Sequence, residues 1–191
     1  MTTTLDKIKE ISRNDGIVGL ESFAEQLFAQ ANPEFLNGFD AETLAAIAKS
    51  GLKFLDNSQS KININIYNPS YEADGWSCDY TVLEVVVTDR PFVVDSLLAV
   101  LEQNQHKTHY YLHPILHVEY KDVKAIKYLA KKSKSSKAYA YELFFIDKIS
   151  DSDIPELKQK IHEVLEEVVL ATDDYHNLRQ ELNKKISYIE A

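Results

Sequence analysis

Residues 85–96 read Val-Val-Val-Thr-Asp-Arg-Pro-Phe-Val-Val-Asp-Ser, and this stretch predicts a strand that leads directly into a helix. The strand, residues 81–88, is apolar on nearly both faces, which is typical of a central position in a sheet. Asp89 suits a helix N-cap, and Pro91 is tolerated in a first turn because its missing N–H would have no partner there. An apolar stripe then predicts a buried helix that ends near Gln105.

The residues upstream of this stretch predict a second strand. Three isoleucines at alternate positions give a period of two over residues 62–67, which indicates a half-buried strand that ends at Asn68-Pro69. We expect this strand to be the antiparallel neighbour of strand 81–88.

The downstream residues predict two further strands and a long helix. Residues 106–120 are rich in aromatic and branched side chains and predict a strand interrupted at Pro114. Residues 138–147 predict a fourth strand, and Asp153 begins the final helix with a capping-box pattern.

The first sixty residues predict helices. One apolar stripe runs from Leu20 to Phe28 and stops at Asn32-Pro33, and a second helix begins after Asp40. Gly51 weakens this second helix by about 1 kcal/mol relative to alanine. We expect these helices to form a hairpin that covers one face of the sheet.

These elements predict an α+β chain with a ferredoxin-like antiparallel sheet, helices on one face of that sheet and an N-terminal helical extension. After strand 62–67 the order is strand, helix, strand, strand, helix, so the fourth strand of the unit is supplied from the front of the chain. The predicted domains are a helical extension (1–60), the ferredoxin-like domain (61–182) and a C-terminal tail (183–191).

Composition excludes several classes of protein. The 191 residues include 30 acidic and 21 basic side chains, a net charge of −9, which argues against broad binding to nucleic acid or an anionic membrane. Cys78 is the single cysteine, and neither a signal peptide nor a long apolar run is evident, so we expect a cytoplasmic protein. The five glycines form neither a dinucleotide-binding nor a phosphate-binding fingerprint, and we expect no bound cofactor.

One family shares both the strand-to-helix junction and a longer set of residues. The junction Val85–Pro91 resembles the signature of ACT domains, in which a strand runs through Asp-Arg-Pro-Gly into the first helix. The longer set is similar, in order and spacing, to the N-terminal ACT-like region of the large bacterial NAD-specific glutamate dehydrogenases. Its members are Asn68-Pro69, Asp74-Gly75-Trp76, Thr81-Val82, Glu84-Val85-Val86, Asp89, Pro91-Phe92, Val94-Asp95-Ser96 and His113-Pro114. The resemblance covers roughly residues 15–180.

The resemblance implies a noncatalytic regulatory and assembly domain. The parent enzymes oxidise L-glutamate to 2-oxoglutarate and ammonia with NAD and form homo-oligomers, and their catalytic region lies far downstream. Implied partners are therefore further domains of the same enzyme or other copies of it. Two alternatives stay open: a free-standing dimer that senses an amino acid, and a plain structural interaction module.

ACT domains commonly bind amino acids at the turn between the first strand and the first helix, where exposed N–H groups and the helix dipole attract a carboxylate. The ligand-binding or interface candidates here are Asp89, Arg90, Phe92, Asp95 and Ser96. Arg90 would pair with a ligand carboxylate, and Asp89 or Asp95 with an ammonium group. Phe92 replaces the glycine of the signature, and the alternative is that Asp89 caps the helix while Phe92 packs in an interface.

Two other patterns predict no site. His109, His113 and His117 lie four residues apart in a predicted strand, where successive members are about 13 Å apart, so we expect no metal site. Residues 121–137 hold seven lysines and one aspartate, and we expect a solvated loop between two strands.

Overall fold

The chain folds as seven helices and six strands within the part that the structure describes. A computed structural model describes the backbone of residues 3–58, 60–121, 124–129 and 131–189, and the side chains of these residues apart from 120–127 and 174–189. The elements are α1 (Thr4–Asn14), α2 (Leu20–Phe28), α3 (Pro33–Asn37), α4 (Ala41–Asp56), β1 (Ile62–Tyr67), α5 (Tyr71–Asp74), β2 (Tyr80–Thr88), α6 (Val93–Gln103), β3 (Thr108–Leu112), β4 (Ile115–Lys121), β5 (Lys124–Leu129), β6 (Lys137–Asp147) and α7 (Ile154–Ile189).

The described strands form one antiparallel sheet in the order β1-β2-β6-β4-β5, and β3 also pairs with β6. β1 pairs with β2 in the register that places Ile62 opposite Val87 and Tyr67 opposite Val82. The predicted pairing of strands 62–67 and 81–88 is therefore confirmed, and so is the central position of β2.

Each face of the sheet is covered by its own set of helices. On β2, Val82 and Val86 pack against α1–α4, whereas Leu83, Val85 and Val87 pack against α6 and α7. The α+β architecture is confirmed: α6 and α7 share one face, and the N-terminal helices cover the other. Helix α7 continues past residue 182 to Ile189, so the expected domain boundary at 182 falls inside it.

The glycine inside α4 has a packing reason that the sequence did not show. A Cβ at Gly51 would overlap the Tyr141 hydroxyl and would lie 3.3 Å from the Phe23 ring. Because glycine leaves this space open, Tyr141 of β6 is fully buried beneath α4. The lower helix propensity of Gly51 is offset by this packing.

The start of α6 differs from the prediction. The helix begins at Val93, its N-cap is Phe92, and no side chain caps it. Asp89 is therefore not the N-cap, and Pro91 lies before the helix rather than in its first turn. The physical reason is that Asp89 continues the pairing of β2 with β6, because its N–H donates to the Ala138 carbonyl at 3.3 Å.

Two predictions for the second half of the sheet were incomplete. The interruption at Pro114 divides residues 106–120 into two separate strands, β3 and β4. The expected lysine-rich loop contains β5, which pairs with β4, and Tyr128 of β5 is buried against Phe23. The predicted loop was wrong there, although the four lysines at 131, 132, 134 and 137 are exposed.

None of the described helices is long and apolar enough to cross a bilayer.

Candidate functional site

The turn between β2 and α6 contains the predicted site residues, and its backbone is unusual at one position. Phe92 has φ 71° and ψ 2°, the left-handed conformation that glycine adopts without strain. For a bulky residue this conformation costs about 1–2 kcal/mol. The Phe92 side chain is 65% exposed, so its ring does not offset this cost by packing within the described structure. Phe92 thus has a backbone conformation that favours glycine, while its side chain is exposed.

Arg90 binds within the protein. Its Nη1 donates to Thr172 Oγ1 at 3.0 Å, to Asp173 Oδ1 at 3.1 Å and to the Val169 carbonyl at 3.3 Å. The side chain is 9% exposed. Lys61 and Arg90 together lower the pKa of Asp173, with Lys61 the larger cause. Arg90 therefore joins the β2–α6 turn to α7, and its charge already faces a carboxylate.

The other candidates lie at the first turn of α6 and at the end of β2. Asp89 and Asp95 are exposed, and Ser96 is half-buried with its N–H donating to the Phe92 carbonyl at 3.0 Å. Asp95 lies in the first helical turn, where a negative charge is favourable. The fold brings Asp89, Arg90 and Phe92 into one turn and places Asp95 and Ser96 directly after it.

Sequence reasoning missed a buried carboxyl group on the α6–α7 face of the sheet. Glu142 of β6 is 2% exposed, and its Oε2 has no hydrogen-bond partner among the described residues. Burial, and to a smaller extent the charge of Asp89, raises the pKa of Glu142 to about 8. The available signal was a glutamate at the apolar phase of a central strand, between Ala140 and Phe144.

A second buried carboxyl group lies on the opposite face. Glu84 of β2 accepts hydrogen bonds from the Tyr141 hydroxyl at 2.6 Å and from Asn65 Nδ2 at 2.9 Å. Burial raises the pKa of Glu84 and also that of the Tyr141 phenol. Since both partners are uncharged, this is a structural hydrogen-bond cluster in the core.

His109, His113 and His117 line a groove beside β3. The groove has a volume of about 720 Å³ and lies between the α2–α3 segment and the β3–β4 break. His109 Nε2 lies 2.6 Å from Asp147 Oδ1, and the His113 ring stacks on Tyr111. His109 and His117 are strand residues, as predicted. In the part of the chain with described side chains, no three His, Cys, Asp or Glu residues are placed to hold a metal ion.

These features define the class of the domain. Strand β2 leads through a tight turn into α6, strands β3–β6 complete an antiparallel sheet with β2, and α7 packs on the same face as α6. Strand β1 precedes β2 in the chain and pairs with it. This is an ACT-like α+β domain. The family model described as "Glutamate dehydrogenase, ACT1 domain" matches residues 23–165, and the chain belongs to that family.

Two curated relatives carry the name NAD-specific glutamate dehydrogenase. The protein from Pseudomonas aeruginosa is 25% identical over 172 residues, which cover 87% of this chain and 11% of the relative. The protein from Halomonas elongata is 24% identical over 199 residues, covering 98% of this chain and 12% of the relative. The chain therefore spans about one eighth or less of these relatives. No solved structure matches it.

Proposed function

We propose that this chain is a noncatalytic regulatory and assembly domain of an NAD-dependent glutamate dehydrogenase. The observation that carries the proposal is the family match over most of a chain that corresponds to 11–12% of relatives bearing that enzyme's name. The buried carboxyl group of Glu84 is hydrogen-bonded to neutral groups in the core, so we assign it a structural role and not a catalytic one. The domain acts through contacts with other parts of the enzyme.

Exposed apolar side chains support a contact surface on the α6–α7 side of the sheet. Tyr111 is 45% exposed and stacks on Phe144, which belongs to the core under α6 and α7. Ile115 is 48% exposed and lies opposite Ala140 of that same core. Phe92, at the start of α6, is exposed as well. Large exposed apolar groups on one side of a sheet support its use as an interaction surface.

The partners in this proposal are further domains of the same polypeptide and, through them, other copies of the enzyme in the cytoplasm. Phe92 makes an interface contact, Arg90 holds the turn in position, and Asp89, Asp95 and Ser96 form its polar border. A contact role fits this turn better than an amino-acid site, because the Arg90 guanidinium that would bind a ligand carboxylate already pairs with Asp173.

The test is the size and activity of the native polypeptide that carries this domain. An antibody against the domain should detect a band far larger than 21.8 kDa, and NAD-dependent glutamate oxidation should co-purify with that band. A native band at 21.8 kDa without this activity would contradict the proposal.

The surface is tested in the same intact enzyme. The double variant Tyr111→Ser, Ile115→Ser should weaken subunit or domain association, measured by light scattering and limited proteolysis. Tyr71→Ser is the matched control, because Tyr71 is 72% exposed and lies on α5. Equal effects of the two changes would exclude this surface.

A further inference from the structure

One edge of β3 is open beside β4, which is paired on both of its edges. β3 and β4 follow each other along the same side of β6, and β5 covers the outer edge of β4. Among the described residues, no strand pairs with the outer edge of β3. The place beside β3 and in line with β5 is therefore unfilled.

The 720 Å³ groove occupies this place. Its lining includes every residue from His109 to Ile115, which is the length of β3 with the break that follows it. In an antiparallel strand with one partner, alternate N–H and C=O groups point away from that partner. Because the lining follows β3 residue by residue, the groove offers space beside these outward groups, where an added strand would lie about 4.8 Å away.

The wall opposite the strand edge carries polar groups beside the apolar Leu27 and Phe35. Gln26 and Gln30 of the α2 segment and Asn32 before α3 line the groove with side-chain amides. Side-chain amides both donate and accept hydrogen bonds, as an extended peptide requires. His117 also lines the groove, and its Nδ1 is buried without a partner among the described residues. An extended backbone fits these donors and acceptors better than a compact apolar ligand does.

We propose that the groove receives an extended segment from elsewhere in the same enzyme polypeptide, which adds to the sheet as a strand beside β3. This inference rests on the proposed function, since the occupant comes from the chain that continues the enzyme. The curated relatives are more than eight times longer than the part this chain matches, so most of their chain lies outside this domain and is the source of the occupant in this proposal. Strand addition takes affinity from backbone hydrogen bonds and selectivity from side-chain pockets.

The bulge in β3 limits where the added strand pairs. The register of β3 against β6 shifts between Thr108 and Tyr110, and Pro114 follows the strand. Regular pairing is therefore confined to residues 110–112. Bulges and short strands also restrict indiscriminate edge pairing, which makes this edge selective rather than generally adhesive.

The experiment uses the intact enzyme with a photo-crosslinking benzoylphenylalanine in place of Tyr111, and with the same group in place of Tyr71 as the control. We expect position 111 to crosslink to a defined segment outside these 191 residues of the same polypeptide, and position 71 to give no such product. Tyr111 also belongs to the proposed contact surface, so a crosslink combined with rapid exchange in β3 would overturn the strand addition. Hydrogen exchange on the unmodified enzyme measures this. The outward amides of residues 110–112 should exchange at least about tenfold more slowly than those of the exposed turn at 150–153.

The outcomes separate this inference from the proposed function. A long native polypeptide with rapid exchange in β3 and no crosslink from position 111 would overturn the strand addition alone. A crosslink from position 111 to β3 of another copy would also overturn it, because the occupant would be a second copy. A native polypeptide of 21.8 kDa would overturn both proposals, and the mass measurement shows this before any crosslinking.

Discussion

The Tyr141 hydroxyl donates a 2.6 Å hydrogen bond to Glu84 Oε1 in the core between the sheet and the N-terminal helices. Both residues are at most 2% exposed, and they lie on the adjacent strands β6 and β2. A buried carboxyl group without its partners would lose solvation and gain nothing in return. This bond thus joins β6 to β2, and the Tyr141 hydroxyl that donates it occupies the space that Gly51 leaves open in α4.

Tyr141→Phe should lower the free energy of unfolding by about 1–3 kcal/mol, because Glu84 Oε1 would keep its burial and lose its donor. Urea denaturation measures the change. In a Glu84→Leu background, which removes the acceptor, the same substitution should cost less, since the two residues form one pair. Tyr71→Phe, on an exposed residue, is the control and should stay within about 0.5 kcal/mol of the parent. Additive effects at 84 and 141 would show that the bond contributes little.

Glu142 should make stability fall as the pH rises from about 4.5 to about 8. Its folded pKa is raised to about 8, above the ordinary glutamate value of 4.5, so the folded state binds more protons across this interval. The stability from this group is fully present below the unfolded pKa and is lost as the pH approaches 8, by at most about 1.4 kcal/mol per pH unit.

The Glu142→Gln variant should show a flatter stability profile over this range, measured by urea denaturation at pH 5, 6, 7 and 8. The variant should exceed the parent in stability at pH 8, where the parent carboxyl becomes charged in the core. Glu167→Gln, on an exposed face of α7, should leave the profile unchanged. A parent whose free energy of unfolding rises from pH 5 to pH 8 would contradict the prediction. So would a Glu142→Gln profile as steep as that of the parent.

Phe92→Gly should be more stable than Phe92→Ala by about 1 kcal/mol. Both substitutions remove the exposed ring, but only glycine adopts φ 71° without strain. Thermal unfolding of the two variants measures the difference directly. If alanine were equal to glycine, the left-handed conformation at this turn would not exist in solution.

Arg90→Ala should lower the free energy of unfolding by about 1–3 kcal/mol, because the substitution removes hydrogen bonds from a guanidinium group to α7. Hydrogen exchange should become faster around residues 165–172, at the contact with Thr172. Arg90→Lys should restore only part of the loss, since a single ammonium cannot bind the α7 acceptors and also replace the Nε–H bond to the Thr88 carbonyl. Unchanged exchange in α7 would indicate that the contact is not maintained in solution.

The predictable parts of the fold were those that local pattern determines. The period of two in residues 62–67 identified a half-buried strand, and the two-faced apolar run in β2 identified a central one. Asp40 begins α4 as its N-cap, with its side chain accepting from the Thr43 N–H at 2.7 Å. Two short-range capping patterns were overlooked: the Thr3–Asp6 capping box of α1 and the Asn32 cap of α3.

The candidate site was predictable as a location and much less so in its chemistry. The motif identified the β2–α6 turn, but Asp89 was misread as a cap because capping preference is local while the Ala138 carbonyl comes from a distant strand. Likewise, the lysine-rich composition of residues 121–137 led to the prediction of a loop. Strand β5 forms there because pairing with β4 and burial of Tyr128 outweigh that local composition.

The sequence by itself determined the helices α2, α4, α6 and α7, the main strands, the position of β1 ahead of β2, and the family. These depend on periodicity, capping and motif spacing, all of which act over a few residues or a fixed order. Only the tertiary structure decided the left-handed backbone of Phe92, the partners of Arg90, the uncharged pairing of Glu84 and the open edge of β3. Each of these depends on groups far apart in the chain, and burial decides which contacts replace water.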